Sequence, residues 1–486
     1  MKITEVIIMV IYLLLCILLG VISQRRISSS NQGIDEYYAA GRNIGTGMNS
    51  LAMLAALGSG GSFMAGVGTV WNLGIPFLGW MVVGSCVGFP LASILVAKQL
   101  RNSKKITVTE FIEDRFPGSK FLKIAVPLII IIGSGMYLMS QMKAGGLMTS
   151  YVTGFDYKWG LVIISLVFFL YVSMGGMLAV TWTNILQGLL LTLLTLLLVA
   201  AGIMNLPMGW TDFVKNAAEQ NPALGVVGGT VPIAGYIGAF LTWATAVCVT
   251  PHLIMRVFTA SSIKSAKLSL NISMLIFGIL MALTVFVIVP YVPSLGETVL
   301  QNNPSDMWML LIAENFFGPV LMGIIASGVL AAVMSSTDAL LLAISSSVAY
   351  DLYKGLVKPN ATRSQILKVS WISTWIIGIF IMILTINPPP FLIVLYTAAV
   401  GFMVCSFFGP IVLGIWWKRA NNLGAIAGLV TGAISFMIAF LFFELPYNSE
   451  ILIGLPISLL SMVIVSSLTE KPSQEVIDRL ETYHNY

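Results

Sequence analysis

The sequence predicts an all-α membrane protein with thirteen transmembrane helices, and three observations lead to that prediction. Hydrophobic residues make up 57% of the 486 residues, whereas charged residues make up only 9%. Apolar stretches long enough to cross a bilayer follow one another along the whole chain. The basic residues gather in every second connecting segment, as the positive-inside rule requires.

The composition excludes an ordinary soluble domain, because such domains keep roughly a quarter of their residues charged. Helices satisfy their own backbone hydrogen bonds in lipid, and a membrane barrel would instead show short alternating strands. Cysteines occur only within apolar stretches, so we expect packed free thiols and no disulfide. They are Cys16, Cys86, Cys248 and Cys405.

The expected helices follow the apolar stretches in chain order. They lie at 5–24, 44–72, 74–99, 119–151, 157–174, 178–205, 232–258, 265–292, 317–352, 367–387, 391–417, 422–444 and 450–468. The first stretch is preceded by Lys2 and Glu5 and ends at Arg25 and Arg26. It has no small-residue cleavage site, so we expect a retained helix and not a signal peptide.

The distribution of basic residues gives the expected orientation. With the amino terminus outside, 21 of the 25 Lys and Arg residues fall in segments on the inner side. The exceptions are Lys2, Lys143, Lys158 and Lys215. A miscounted helix would have mixed the two sides, so the bias supports thirteen helices in a cell (inner) membrane, with the carboxyl terminus cytoplasmic.

Two of the expected helices carry residues that break helices. The second contains five glycines between Gly58 and Gly68, and each glycine costs about 1 kcal/mol relative to alanine in a helix. The seventh contains Pro251, which removes a backbone hydrogen bond. The two helices stand five apart, and each opens a run of five. Interrupted helices at matching positions of two halves predict a binding site between inverted repeats.

This pattern divides the chain into six parts. We expect a first helix with its inner loop (1–43), a first repeat (44–205), an outer loop (206–231), a second repeat (232–417), two peripheral helices (418–468) and a cytoplasmic tail (469–486).

A few polar residues lie at membrane depth, where a charged side chain costs a few kcal/mol and therefore indicates a structural or functional role. Lys143 and Asp338 fall inside predicted helices, and each is expected either to line the solute or ion path or to form a structural pair. Arg256, near an inner helix end, is expected to anchor at the interface. In the run from Ala332 to Ser336, the carbonyl of Ala332 and the hydroxyls of Ser335 and Ser336 can converge as neutral oxygen ligands for sodium.

Several ordered motifs along nearly the whole chain resemble the sodium/solute symporter family, which includes proline, pantothenate, sialic acid and galactose carriers. The motifs are Gly41-Arg42, Ala55 to Gly68, Gly175-Gly176, Trp182 to Gln187, Pro251-His252 with Arg256, Ala331 to Asp351, Asn387-Pro388-Pro389 and Gly414 to Asn421. Among the members, the sequence looks most like the pantothenate and short monocarboxylate branch.

The resemblance implies a five-plus-five inverted-repeat core of the leucine-transporter type, with one helix before it and two after. It also implies a sodium site between the first and eighth core helices. The implied sodium ligands are the carbonyls of Ala55, Gly58 and Ala332 and the hydroxyls of Ser335 and Ser336. The implied solute site comprises Ser59, Gly60, Ser62, Gln141 and Trp243. Lys143 is a further expected solute contact, because an ammonium group at membrane depth can neutralise a carboxylate.

Three further residues are expected to act in coupling or gating: Asn184, Pro251 and Asp338. The family often has aspartate where this chain has Asn184, and in some members that aspartate serves a second sodium. We therefore expect one sodium per solute, with Asp338 tuning that site. Asp338 could also replace the missing carboxylate, pair with Lys143 or be protonated.

The expected function is sodium-coupled uptake of a small organic solute by alternating access, with a monocarboxylate such as pantothenate as the first candidate. An amino acid of the proline type or a sugar is the alternative. A channel is disfavoured because no filter motif is present, and a sensor because the tail is short. A membrane enzyme would need a cluster of histidines and carboxylates. We expect no catalytic residue, no cofactor, no metal other than sodium, no nucleic-acid partner, and function as a monomer in the lipid bilayer.

Overall fold

The computed structural model describes residues 2–29, 33–316, 318–388 and 392–484, and this part of the chain is helical without any strand. Its first eleven helices are α1 (Ile3–Ser29), α2 (Gly33–Ala39), α3 (Thr46–Leu57), α4 (Gly66–Leu73), α5 (Ile75–Leu95), α6 (Ala97–Asn102), α7 (Val108–Arg115), α8 (Lys120–Thr153), α9 (Tyr157–Met204), α10 (Trp210–Gln220) and α11 (Ile233–Ala246).

The remaining helices follow in the same order. They are α12 (Pro251–Thr259), α13 (Ile263–Ile288), α14 (Glu297–Asn302), α15 (Trp308–Phe316), α16 (Pro319–Ser346), α17 (Arg363–Leu384), α18 (Leu392–Phe408), α19 (Gly414–Trp416), α20 (Asn422–Phe442), α21 (Ile451–Leu468) and α22 (Gln474–His484). Short 3-10 or π turns occupy Ala40–Arg42, Gly60–Met64, Pro222–Gly225, Val289–Leu295, Ser305–Met307, Ser347–Val357 and Gly409–Leu413.

Eleven helical segments within the described ranges are long and apolar enough to cross a membrane, which makes this a multi-pass membrane protein. They are Ile3–Arg25, Ile75–Leu95, Lys120–Thr153, Tyr157–Met204, Ile233–Thr259, Ile263–Leu295, Pro319–Val357, Arg363–Leu384, Leu392–Trp416, Asn422–Phe442 and Ile451–Leu468.

The number eleven differs from the expected thirteen at two places. The expected helix at 44–72 is divided into α3 and α4, each too short to span alone. The expected helices at 157–174 and 178–205 both lie in α9, whose backbone leaves the helical region at Gly176 (φ 50°, ψ −151°). An unbroken helix of that length would measure about 72 Å, far beyond the roughly 30 Å of a bilayer core. The count of thirteen, its orientation and the six-part division stay predictions.

Gly176 turns the chain where a side chain could not fit. Its φ is positive, and a Cβ there would lie 2.6 Å from the backbone oxygen of Tyr37. The two segments of α9 therefore meet at a tight corner against α2. This corner permits one long apolar run to serve as two helices.

Helix α16 lies in the interior and packs against α1, α3, α8 and α9. Its buried small residues, among them Gly328, Ala331 and Ala332, let neighbouring backbones approach closely. A Cβ on Gly328 would lie only 2.9 Å from the Cβ of Leu194 in α9. This close packing brings the middle of α16 to the broken helix formed by α3 and α4.

The carboxyl-terminal segment, expected only as a tail, contains helix α22. Its Tyr483 hydroxyl donates to the Asp114 carboxylate, and Arg479 lies 3.3 Å from the same group. Asp114 belongs to α7, so α22 is held against α7. Pro389 and the expected helix starts at 317 and 391 lie outside the described residues.

Candidate ion and solute site at the two broken helices

The first break lies where the glycine-rich sequence predicted it. Helix α3 ends at Leu57, and Gly58 (φ −70°, ψ 98°) and Ser59 (φ −112°, ψ 168°) are extended. The chain then enters the π turn Gly60–Met64, whose start is capped by reciprocal hydrogen bonds between Ser59 and Ser62. The break removes the intrahelical partners of the last carbonyls of α3, which become available to other ligands.

The second break separates α11 from α12. Residues 247–250 connect the two, and Pro251 is the first residue of α12. Proline fits this first position because its missing N–H would have no helical partner there. The helix is thus interrupted just before Pro251, as the sequence predicted.

Four predicted sodium ligands come together beside the first break. The Ser335 hydroxyl of α16 lies 2.7 Å from the carbonyl oxygen of Ala55, 3.3 Å from that of Gly58 and 2.9 Å from that of Ala332. All four residues are buried. One hydroxyl supplies a single hydrogen to three carbonyl oxygens, so this group of oxygens has spare capacity to bind a cation.

Ser336 stands next to this group and contacts an oxygen that the sequence did not suggest. Its hydroxyl lies 3.3 Å from the carbonyl oxygen of Ala56. Both side chains of the serine pair therefore face the end of α3. Ser336 remains a candidate ligand, with Ala56 as an additional one.

A small cavity adjoins the first break, and it contains three of the predicted solute-binding residues: Ser59, Ser62 and Trp243. The other lining residues are Leu57, Leu78, Met81, Val82, Ser85, Phe277, Met281 and Tyr396. The cavity has a volume of about 30 Å³, enough for one or two water molecules. Side chains must therefore move before a larger solute can enter.

Aromatic rings form one wall of this cavity. The ring centroids of Trp243 and Tyr396 are 5.8 Å apart, and Tyr396 stacks on Tyr137 at 5.6 Å. The buried indole nitrogen of Trp243 meets no hydrogen-bond acceptor among the described residues. Sequence reasoning missed Tyr137 and Tyr396, since a tyrosine in an apolar helix gives no local signal of its partners.

Gly60 and Gln141 form a contact that holds the break in place. The Gly60 N–H donates to Gln141 Oε1 at 3.1 Å. A Cβ on Gly60 would lie 2.5 Å from the Cβ of Ala144, so α8 packs directly on this backbone. Gly60 and Gln141 fix the backbone of the break next to the cavity, and neither is among the described residues that line it.

Lys143 forms a buried ion pair, which is one of the two positions expected for it. Its ammonium group lies 3.1 Å from Asp306 Oδ2, and both side chains are buried. Burial raises the pKa of the Asp306 carboxyl, and the charge of Lys143 offsets part of that rise. The partner of Lys143 is thus a carboxylate in the turn Ser305–Met307, and Lys143 is not among the described residues that line the cavity. A direct contact of Lys143 with the solute stays a prediction.

Asp338 lies in the interior next to α9. Its carboxylate accepts hydrogen bonds from the hydroxyl of Tyr171 and, at 3.3 Å, from that of Thr183. The suggested pairing of Asp338 with Lys143 was wrong, since Lys143 contacts Asp306. The sequence showed the carboxylate at membrane depth but not Tyr171, which is 167 positions away.

Asn184 contacts Arg256, whose expected role was also wrong. In the amide orientation that satisfies its hydrogen bonds, the Asn184 oxygen accepts from Arg256 Nη2 at 2.6 Å and its nitrogen donates to Gln187 at 2.7 Å. Arg256 also donates to Thr181 at 3.1 Å and is fully buried. A fully buried guanidinium cannot anchor at the membrane interface, so Arg256 belongs to an interior polar network.

Comparison with known proteins decides the family. The profile of the sodium:solute symporter family matches residues 37–432, which is most of the chain. The chain belongs to the sodium:solute symporter family.

Curated members of this family align over almost the full length. The chain is 28% identical over 478 residues to the high-affinity proline transporter PutP of Bacillus subtilis, covering 96% of this chain and 99% of that protein. It is 30% identical over 457 residues to the osmoregulated proline transporter OpuE of the same organism, covering 91% of each. These relatives are transporters and not enzymes, and they represent a different branch from the pantothenate and monocarboxylate one.

Solved symporter structures share the fold. A Na+-coupled sialic acid symporter in a substrate-bound, outward-open state superposes with a TM-score of 0.82 at 22% identity, covering 97% of this chain and 99% of the other. The transporter MhsT in complex with L-phenylalanine superposes with a TM-score of 0.56 at 17% identity, covering 86% and 97%. The expected all-helical, leucine-transporter-type architecture is thereby confirmed.

Proposed function

We propose that this member of the sodium:solute symporter family couples the inward movement of sodium to the uptake of an amino acid of the proline type. The observation that carries the proposal is the position of the oxygen group around Ser335 next to a cavity whose described lining contains no acidic or basic side chain. Gly58 and Ser59 are adjacent residues, one contributing to each site. An ion and a solute bound there would stabilise the same conformation of the break.

The ion site is argued from its ligands. Sodium binds well to neutral carbonyl and hydroxyl oxygens, and the break in α3 supplies the carbonyls of Ala55 and Gly58 while α16 supplies Ala332 and Ser335. Unwound backbone at a broken helix coordinates ions in transporters built from inverted repeats. Ser336 completes the proposed set from the same helix.

The solute class is argued from the cavity lining. A net anion in a buried cavity needs a compensating cation, and none of the described residues that line this cavity is basic. An amino acid carries both charges and is neutral overall. Its carboxylate could accept from the Trp243 indole N–H, and its ammonium group could lie against the Trp243 and Tyr396 rings.

The relatives support the same alternative. Both Bacillus subtilis proteins are named as proline transporters, whereas the first candidate, a monocarboxylate such as pantothenate, gains no support from the comparisons. The position of Lys143 weakens that candidate further, because the cation expected to neutralise the carboxylate already pairs with Asp306.

A competition assay tests the solute class. Purified protein in liposomes would take up labelled proline in the presence of sodium, with unlabelled proline, pantothenate, lactate and galactose as competitors. We expect only proline and closely similar amino acids to suppress uptake. Suppression by pantothenate or lactate at equal or lower concentration would contradict the proposal and restore the monocarboxylate candidate.

A further inference from the structure

A second cleft lies away from the solute cavity, at one end of α17. It opens between α1, α2, α9 and α17 and has a volume of about 410 Å³. Its lining includes Gln24, Tyr37, Ser173, Arg363, Lys368 and Trp371. None of these residues belongs to the proposed sodium or solute site.

The cleft lies at a boundary of the membrane-spanning region. Helix α17 begins its apolar span at Arg363, and the span of α1 ends at Arg25, next to Gln24. Trp371, two turns into α17, is 47% exposed. Tryptophan is enriched at the level of lipid headgroups, so Trp371 and the ends of α1 and α17 place the cleft at that level.

The charge of the cleft is basic. Arg363 and Lys368 both line it, and no described lining residue is acidic. A guanidinium group binds phosphate through two parallel hydrogen bonds, and an ammonium group adds a compact positive charge. Basic pockets between transmembrane helices at the membrane surface are suited to anionic lipid headgroups.

The cleft continues into apolar surface on two sides. On α1, Ile17 and Val21 are half-buried one turn apart on the same helix face as Gln24. On α17, Ile372 and Ile376 are exposed in the same spacing beyond Lys368. Two acyl chains could therefore lie along these helices while a headgroup occupies the polar cleft.

We propose that this cleft binds one anionic phospholipid, with its phosphate held by Arg363 and Lys368 and its acyl chains packed along α1 and α17. A soluble phosphate compound would use the basic pair but would gain nothing from the apolar helix surfaces. The combination of both features favours a lipid. The inference is independent of the transported solute.

Lipid binding can be measured without sodium or solute. The purified full chain in detergent would be titrated with phosphatidylglycerol or phosphatidylcholine of matched acyl chains, and bound lipid counted by native mass spectrometry. We expect one phosphatidylglycerol to bind at least tenfold more tightly than phosphatidylcholine. The R363Q/K368Q variant should bind the two lipids equally.

A matched control separates the cleft from general surface charge. Lys264 and Lys267, at the start of α13, do not line the cleft, and the K264Q/K267Q variant loses the same charge. We expect it to keep the preference for phosphatidylglycerol. Because Lys368 is exposed, K368Q alone is expected to fold and should weaken binding severalfold.

Three results would overturn the proposal. The preference could survive in both R363Q/K368Q and K368Q, or it could fall equally in K264Q/K267Q. Inorganic phosphate at millimolar concentration could also displace the lipid, which would indicate a site for free phosphate. Loss in the cleft variants with retention in the control supports the lipid site.

Discussion

At the scale of single residues, the Ser335 hydroxyl has one hydrogen but three carbonyl oxygens within 3.3 Å. A hydroxyl can donate to only one of these oxygens at a time. A sodium ion has no such limit and can bind the hydroxyl oxygen and the carbonyls together. This difference supports the proposal that Ser335 and the three carbonyls bind a sodium ion.

The first prediction concerns these serines. Alanine at Ser335 or Ser336 removes one of roughly five oxygen ligands, so sodium affinity should fall at least tenfold, which corresponds to about 1.4 kcal/mol. The measurement is the sodium dependence of uptake, with expression as a check on folding. Ser346→Ala is a matched control, because the Ser346 hydroxyl bonds only to Ala343 within its own helix. Unchanged sodium dependence in both site variants would refute the ligand assignment.

The second prediction concerns Asp338 and Asn184. Asn184 is neutral and contacts Arg256, so it does not supply the carboxylate expected for a second sodium. The sodium dependence of uptake should therefore have a Hill coefficient near 1, and Asp338→Asn should weaken coupling while preserving solute binding. A coefficient near 2 that becomes 1 in Asp338→Asn would show that Asp338 serves a second ion and would contradict the single-sodium expectation.

At the scale of elements, the Lys143–Asp306 pair connects α8 to the segment between α14 and α15. Lys143 lies in α8, and Asp306 lies in the turn Ser305–Met307 between α14 and α15. The same turn packs on α4, since a Cβ on Gly68 would lie 2.2 Å from the oxygen of Ser305. The segment between α13 and α16 is therefore held against both α8 and the second half of the broken helix.

The third prediction tests whether Lys143 acts through this pair. Lys143→Met leaves a buried carboxylate without its ion-pair partner, a change that typically costs about 3–5 kcal/mol. We expect the single variant to lower thermal stability and uptake together. Replacing both residues, as in K143M/D306L, should restore much of the stability.

Solute affinity distinguishes the alternatives for Lys143. If Lys143 instead bound the solute directly, the double variant would remain unable to bind proline despite recovered stability. Recovery of both stability and solute affinity would support the structural role.

Asp306→Asn adds a second check. The raised pKa of Asp306 means that the pair loses its negative charge at a less acidic pH than an exposed carboxylate would. The loss of uptake on acidification should therefore be weaker in D306N than in the unmodified protein.

The elements also show which features the sequence could predict. The breaks at Gly58 and before Pro251 follow from local backbone chemistry, because clustered glycines and a proline in the interior destabilise a helix. The apolar stretches predicted most helix positions, because a chain that crosses lipid must satisfy its backbone hydrogen bonds within a helix. The corner at Gly176 was predicted as a boundary between two helices, and the structure shows there a positive φ within one helical run.

Side-chain partners could not be predicted from local sequence. Asp338 contacts Tyr171, Lys143 contacts Asp306, and each pair is more than 160 positions apart. Such contacts depend on how whole helices pack, and a sequence without superposed neighbours does not encode them visibly. The contact of Ser335 with Ala55 was expected only through the family resemblance. Helix α22 was missed because a short amphipathic helix is stabilised by the surface on which it packs, and the local sequence does not show that surface.

At the scale of the whole molecule, the architecture is that of a sodium-coupled symporter, and the proposed ion and solute sites meet at the first break. Coupling requires that sodium and solute favour the same conformation and therefore raise each other's affinity by the same factor. The shared backbone at Gly58 and Ser59 provides a direct physical connection for this effect.

Uptake of labelled proline into proteoliposomes under an imposed inward sodium gradient tests the central claim most directly. We predict concentrative uptake that requires the sodium gradient, is lost in Ser335→Ala and is retained in Ser346→Ala. Equal uptake with potassium in place of sodium, or a Ser335→Ala variant that accumulates proline as well as the unmodified protein, would contradict the account.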